Sequence, residues 1–556
     1  MENIEEKALP FETQGRFLAR STMLLIVATV ISRLLGLVRE AMVGKLYGAT
    51  GATDAFFFAY AIPELVRTLL ISGALSSIFV PIFAEYRQKR GLDEAKRMSG
   101  QVFGFVLLSC IGITILGLIA APLIIKLAQF VGMGNVAPEI YQLTVNLTRM
   151  IFPIIIFIAL SGLAQGIQNS LGNFQTPAIA TFFFNIVIIF MLLAEDSLTT
   201  NARIQVAAIA FVVGALAQLL YQMPRFRRDG IPISLRINLK DPVYGRMAVL
   251  APAAMLGYAT MVINSFVDKS IAYSLPDTAS LSALTYGFRV EQLPFSVFGV
   301  SVATALFPTI SRYLTEKRMD DFKRTTEAGV RVLIFTVVPA MVIFLALKRP
   351  IIQIIFERGA FGIEATTSSA DSLFMYTLGI VPASLMLLIA RVFFARQDMK
   401  TPLYAGIVSV FLNFILDIYF AQPWGLGMGF KGIALCTSIV AFVNLGILVF
   451  ILDRRYGGFI NMHLNRHVGK IIIAGFWQYV SAQYFYAVAR KYLFHTPMTE
   501  TAEFMPVFIS FLIAVAFSLV IFISLLIVMR AGELKMIKDL LFKRARGNKT
   551  GEGDTI

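Results

Sequence analysis

Residues 505–529 read MPVFISFLIAVAFSLVIFISLLIVM, twenty-five positions without one charge. About 20 apolar residues let an α-helix cross the hydrocarbon of a bilayer. The run is continuous, whereas a barrel strand is about 10 residues long and alternates apolar with polar. Moving toward the N-terminus, runs of spanning length recur near 468–489, 432–452, 402–421, 369–395, 329–347, 280–309 and 247–274. The first half repeats the theme near 203–223, 177–195, 140–168, 101–128, 55–83 and 22–44. The sequence therefore predicts an all-α integral membrane protein of about fourteen transmembrane helices.

Composition agrees. Of 556 residues, 57% are hydrophobic and 15% charged, too few charges to clothe a soluble surface of this size. Cys110 and Cys436 sit inside apolar runs, which excludes a disulfide framework and offers no metal-ligand spacing. His463 and His467 are four apart but have no Glu or Cys beside them, so they and His495 read as solvated loop or helix-end residues. Residues 1–20 are polar and mixed in charge, and the first apolar run continues without a cleavage site, so it reads as a true span. No P-loop, nucleophile elbow or metal-hydrolase pair is present, so the reading is not an enzyme. Transport would draw on an ion gradient or the membrane potential.

The net charge of +15 lies between the apolar runs. Basic clusters follow the second, sixth, eighth, tenth and twelfth runs and fill the tail, whereas the other side holds little beyond Lys45, Lys348, Arg349 and Arg358. Membrane topology explains this charge without nucleic acid. The positive-inside rule puts both termini in the cytoplasm and requires an even number of spans.

Two landmarks disclose a duplication. Thr176-Pro177 and Thr401-Pro402 each open an apolar run and stand 225 residues apart. Pro81 and Pro308, each leading into a basic loop, stand 227 apart. Six spans plus six give a parallel repeat, the plan of a two-lobed transporter, with two spans outside it.

Ionisable residues inside spans are expensive and mark function. The first span carries Arg33 and Arg39, the second Arg67, and the eighth Arg289, near Glu291 and Gln292. Ser32, Gly36 and Arg39 share one stripe, and Arg33 lies about 120° from Arg39. An excess of arginine over carboxylate suits an anion, and the planar guanidinium fork suits phosphate or pyrophosphate. The competing reading is snorkelling or structural pairing, for which Arg39 beside Glu40 is the clearest case. Asp268, Asn413, Asp417 and Thr437 add oxygen donors of the kind that suit a hard cation such as Na⁺. Against that stand a Lys269–Asp268 pair at a helix end and an outer-surface place for Asp417.

Several segments resemble the MurJ (MviN) lipid II flippases. They are Ser32 to Glu40, Gly48-Ala49, Ala52 to Phe57, Pro63-Glu64-Leu65-Val66-Arg67, Gly73 to Ser76, Phe79 to Tyr86 and Arg396 to Pro402. The likeness extends over all fourteen spans and is densest in the first 90 residues. It implies the multidrug/oligosaccharidyl-lipid/polysaccharide exporter fold, with two six-helix lobes and two extra C-terminal helices. On that plan residues 1–21 precede an N-lobe at 22–224. A basic linker at 225–246, a C-lobe at 247–453, two further spans within 454–530 and a basic tail at 531–556 follow.

The resemblance further implies flipping of lipid II, an undecaprenyl-pyrophosphate-linked disaccharide peptide, from the inner to the outer leaflet of the bacterial cytoplasmic membrane. The family's cavity arginines fall on Arg33, Arg39, Arg67 and Arg289, with Ser32, Asp54 and Ser282 at matching positions. Its sodium site falls on Asp268, Asn413, Asp417 and Thr437. Some members carry Glu where this chain has Gln292. Membrane lipids and other wall-synthesis proteins are the implied partners, and the last two spans offer a groove for the polyprenyl tail. Rival readings are a flippase for another polyprenyl-pyrophosphate saccharide, a cation-coupled multidrug exporter, and a membrane scaffold.

Overall fold

The computed structural model describes residues 31–69, 79–198, 203–235, 241–277, 279–457, 462–494 and 503–530. Every regular element among them is helical. An apolar chain in lipid must satisfy its backbone groups within itself, and helices do so locally.

In chain order the helices are α1 (31–47), α2 (Gly51–Arg67), α3 (Val80–Arg90), α4 (Leu92–Gly132), α5 (Pro138–Ile151) and α6 (Ile154–Ser170). Then come α7 (Gln175–Leu198), α8 (Ile204–Arg228), α9 (Pro242–Tyr273) and α10 (Ser280–Pro294), and a π-helical segment at Phe295–Val300. The remainder are α11 (Ser301–Thr315), α12 (Met319–Ala346), α13 (Lys348–Phe356), α14 (Ile363–Thr377), α15 (Ile380–Ala395), α16 (Lys400–Ala421), α17 (Phe430–Tyr456), α18 (Met462–Val488), a second π-helical segment at Ala489–Leu493, and α19 (Phe504–Val528).

Each of the fourteen expected span positions holds a helix. Among the described residues nine helical stretches are long and apolar enough to cross a membrane, α5 with α6 and α10 with α11 each counting as one, and α14 with α15, bent by 43°, makes a tenth. Helices α1, α2, α9 and α18 stand at the other four positions. The described part of α1 starts at residue 31, and α2 is only 17 residues long and carries Asp54, Glu64 and Arg67. The second span, expected to be one run over 55–83, is described as α2 and α3; Gly73 to Ser76 lie outside the described residues.

Contacts divide the chain into two compact units, Met1–Leu281 with Arg358–Phe361, and Ser282–Glu357 with Gly362–Ile556. In the first, the core is aromatic: Phe56 meets Phe211 edge-on at 5.2 Å, and Phe58 stacks on Tyr273 at 4.4 Å. Helix α9, which the sequence plan assigns to the second lobe, therefore packs within the first unit. Tyr273 also shares a 2.7 Å hydroxyl hydrogen bond with Thr144 of α5. Residues Arg358–Phe361 join this unit because the Ala360 N–H donates to the Lys45 carbonyl at 2.7 Å.

The chain leaving α8 is tied down along α4. The Ser234 N–H donates to the Gly100 carbonyl at 3.3 Å. A Cβ at Gly100 would lie 1.7 Å from the Pro232 carbonyl oxygen, and one at Gly104 would lie 2.0 Å from that of Ser234. Only glycine at these two positions admits this segment of chain so close. At its far end Asp241 caps α9 through the Val243 N–H at 3.0 Å and accepts from the Tyr86 hydroxyl at 3.0 Å. Part of the basic linker at 225–246 is thus a strap bound to the first unit.

The second unit has a core of α11, α12, α15 and α17 around Phe322, Leu333, Leu388, Val392 and Phe393. Helices α18 and α19 close on α12 through Val338, Ile471, Ala474 and Phe522. The fourth span of each copy is broken at one register. Phe152-Pro153 separates α5 from α6, and Leu378-Gly379 separates α14 from α15.

Candidate substrate and ion sites

Arg39 is the most enclosed of the four arginines, 8% exposed on α1. Its Nη2 donates to Glu40 Oε1 at 2.8 Å and its Nη1 to Asn185 Oδ1 at 3.1 Å. Its guanidinium lies 4.9 Å over the Phe211 ring and 5.5 Å over Phe184. Glu40 is 3% exposed, so the two charges neutralise one another where water is excluded. The Arg39 fork is committed to protein groups, the structural pairing left open by the sequence.

Arg33 is exposed on the same helix. The 120° between the two arginines thus separates a buried from an open face. Ser32 is half-buried, and its carbonyl accepts from Asn185 Nδ2 at 3.5 Å. Asn185 on α7 therefore braces α1 at two points, a role that sequence reading missed.

Arg67 is half-buried and bidentate: Nε donates to Glu64 Oε2 at 2.8 Å, and Nη2 pairs with Glu64 Oε1. The i, i+3 spacing on one helix carried that signal. Asp54, 5% exposed near the start of α2, accepts from the Leu281 N–H at 3.3 Å. Ser282 is fully buried in the second unit at the start of α10. Arg289 lies on the exposed face of α10, and Gln292 is half-buried. Glu291 follows Arg289 by two residues, about 200° round the helix, and is 7% exposed.

The expected cation ligands divide between the units. Asp268 is half-buried on α9 in the first unit, while Asn413, Asp417 and Thr437 belong to the second. Asn413 and Asp417, both fully buried, are brought together on α16: Asn413 Nδ2 donates to Asp417 Oδ2 at 2.6 Å. The Thr437 hydroxyl on α17 donates to the Ile433 carbonyl at 3.2 Å. Asn413 and Asp417 place an amide oxygen and a carboxylate in dry surroundings, and the part-buried Thr437 adds a hydroxyl on α17; oxygen donors of this kind suit a hard monovalent cation. Among the described residues no group of three or more His, Cys, Asp or Glu stands ready for a transition metal.

The family description "Lipid II flippase MurJ" matches residues 43–502 of this chain. The chain belongs to the MurJ family of lipid II flippases. It is 32% identical over 434 residues to a probable lipid II flippase MurJ of Rhizobium tropici, covering 77% of this chain and 79% of that one. With the probable lipid II flippase MurJ of Vibrio cholerae it is 30% identical over 443 residues, covering 78% and 83%. A solved structure of lipid II flippase MurJ in an inward closed conformation superposes with a TM-score of 0.72. It is 25% identical, and the match covers 91% of this chain and all of that one. An inward-facing multidrug resistance MATE transporter of the MOP superfamily superposes with a TM-score of 0.65. At 14% identity over 80% of this chain and 99% of that one, it shows a shared fold alone. This protein is accordingly a multi-pass membrane protein with a MurJ-like helical fold.

Proposed function

We propose that this protein moves lipid II from the inner to the outer leaflet of the cytoplasmic membrane by alternating access, supplying peptidoglycan synthesis. One observation carries the reading: a MurJ-family chain keeps Arg33 and Arg289 on exposed faces of helices α1 and α10. A guanidinium there offers a planar, permanently charged fork to the pyrophosphate. Arg67 adds positive charge but shares its fork with Glu64. Arg39 acts as a brace that ties α1 to α7 through Asn185, with its charge balanced by Glu40. The proposal extends to cytoplasmic termini, supported by the basic loops. It extends to a tail groove along α18 and α19, and to a sodium ion held in the second unit by Asn413 and Asp417 with Thr437. Wall-synthesis proteins are the proposed partners.

Reconstituted full-length protein in liposomes containing lipid II tests this directly, with outward-facing lipid counted by an impermeant modifying enzyme. Arg33→Ala and Arg289→Ala are expected to abolish flipping while leaving the protein folded. Equal flipping by both variants would refute the arginine mechanism. Flipping of a different polyprenyl-pyrophosphate saccharide in preference to lipid II would move the substrate assignment.

A further inference from the structure

Glu291 is a membrane-embedded carboxylate that the reading above does not use. It is 93% buried on α10, and among the described residues no hydrogen bond or ion pair reaches it. Its helix face is packed unusually tightly. Gly287, one turn before, lies so near α14 that a Cβ there would stand 2.7 Å from Ser372 Cβ and 2.8 Å from the Leu373 nitrogen. Further along, a Cβ at Gly299 would stand 2.6 Å from the Ser384 hydroxyl on α15. Positions 287 and 291 are four apart and share a face, so Glu291 follows a glycine that presses on α14.

The helices on that side carry idle polar groups. Ser369, Ser372 and Ser384 are fully buried, and their hydroxyl oxygens have no hydrogen-bond partner among the described residues. Between Ser372 and Ser384 the span is interrupted at Leu378-Gly379, where helical hydrogen bonding lapses. On its own helix Glu291 precedes Pro294, which lacks an N–H, and the π-helical segment Phe295–Val300. π-Helical turns inside spans are costly departures that recur at functional sites.

Among the described residues, no charged or titratable neighbour on the packed helices forms a hydrogen bond or ion pair with Glu291. Asp371 of α14 holds Lys348 and Lys431, each at 2.7 Å. Tyr376 packs its ring on Phe288 at 5.3 Å. Glu327 and Arg331 of α12 pair with one another, and the Arg391 guanidinium of α15 lies 5.7 Å over Phe307. Arg289 is on the opposite face of α10. An ionised carboxylate without a counter-charge in such a place is strongly disfavoured, whereas a carboxylic acid is tolerated.

We propose that Glu291 is a proton-binding site that couples transport to proton movement. Its carboxylate takes up one proton to become the buried neutral acid. It returns that proton to water when rearrangement of the Phe295–Val300 segment opens the seam between α10 and the α14–α15 pair. No other bond forms or breaks. The coupling to flipping rests on the transporter reading, but proton binding itself does not.

Infrared difference spectroscopy of the full-length reconstituted protein, without substrate, tests the binding. The wild-type minus Glu291→Gln spectrum isolates the carbonyl band of the protonated acid, and Glu291→Asp should shift that band if the Gln variant folds poorly. The expected result is a band present at low pH and lost as pH rises, unaffected by sodium. In lipid II liposomes, Glu291→Gln should lose the wild-type response to an imposed pH gradient. A band that persists at every pH marks an inert acid, and absence of a band at every pH marks a fixed carboxylate. Either result would overturn the proposal, as would displacement of the band by sodium at constant pH. A titrating band with an unchanged gradient response in the variant would overturn the coupling.

Discussion

Helices α4 and α12 start 227 residues apart, the spacing of Pro81 and Pro308, and the two treat the same positions in opposite ways. Gly100 and Gly104 of α4 lie under the strap formed by residues 231–235. Their counterparts on α12 are Glu327 and Arg331, which pair with each other across one helical turn. A duplicated fold has one connector between its copies, and here that connector lies on the first. The first copy therefore needs bare backbone where the second can close its surface with a salt bridge. Corresponding helices of the two copies diverge where the chain's own continuity makes their surroundings different.

The sharpest way to break this comparison is to give the first copy side chains. Gly100→Val should destabilise by about 3 kcal/mol, because the strap carbonyl occupies the new methyl's place. Thermal unfolding in detergent, with proteolysis of residues 231–235 as a second reading, would check it. An unchanged melting temperature would mean that the strap is not held there.

The turns that open α7 and α16 make a second pairing. In both, the chain reverses through a left-handed residue, Gly172 (φ 82) or Gln397 (φ 61). Corresponding N–H groups of Asn173 and Asp398 donate to the carbonyls of Gln168 and Phe393. Each Asx side chain then accepts from the Thr N–H three residues on, at 3.3 Å for Thr176 and 3.0 Å for Thr401. Both also engage the threonine hydroxyl, Asn173 that of Thr176 at 2.9 Å and Asp398 that of Thr401 at 2.7 Å, and Asp398 adds an ion pair with Arg455 at 2.6 Å. Asp398→Ala should cost about 2 kcal/mol and Asn173→Ala about 1 kcal/mol, compared by the same melts.

The charge difference also predicts a pH effect. Burial opposes ionisation of Asp398, but the Thr401 N–H and hydroxyl and the Arg455 guanidinium outweigh it and hold the carboxyl below its ordinary range. A depressed carboxyl contributes stability above its unfolded-state value and loses it as pH falls through the folded-state one. Acid should therefore erode the stability difference between wild type and Asp398→Asn, while Asn173→Ala stays offset from wild type by a constant amount. The smallest expected effects come from the left-handed residues. Gly172→Ala, with open space around it, should cost about 1 kcal/mol, and Gln397→Gly should gain roughly 0.5 kcal/mol.

The apolar runs made the helices legible, and the Thr-Pro and Pro landmarks made the duplication legible, because both are local patterns. The strap was not legible: Gly100 and Gly104 show helical spacing, but their partner lies about 130 residues away. The placement of α9 in the first unit was hidden for the same reason, since Phe58 and Tyr273 meet only in the folded chain. At the site, Glu64 with Arg67 and Glu40 with Arg39 were readable as neighbours in sequence. Asn185, 146 residues from Arg39, was not. The seam around Glu291 was invisible because glycines and serines look alike in any span until a neighbouring helix is placed against them.

Complementation tests the central claim most directly. A strain depleted of its own lipid II flippase would receive the wild-type chain, Arg33→Ala or Arg289→Ala, each with membrane expression verified. Rescue by the wild type and failure of both well-expressed variants is the predicted result. Full rescue by the variants would contradict an arginine-held pyrophosphate.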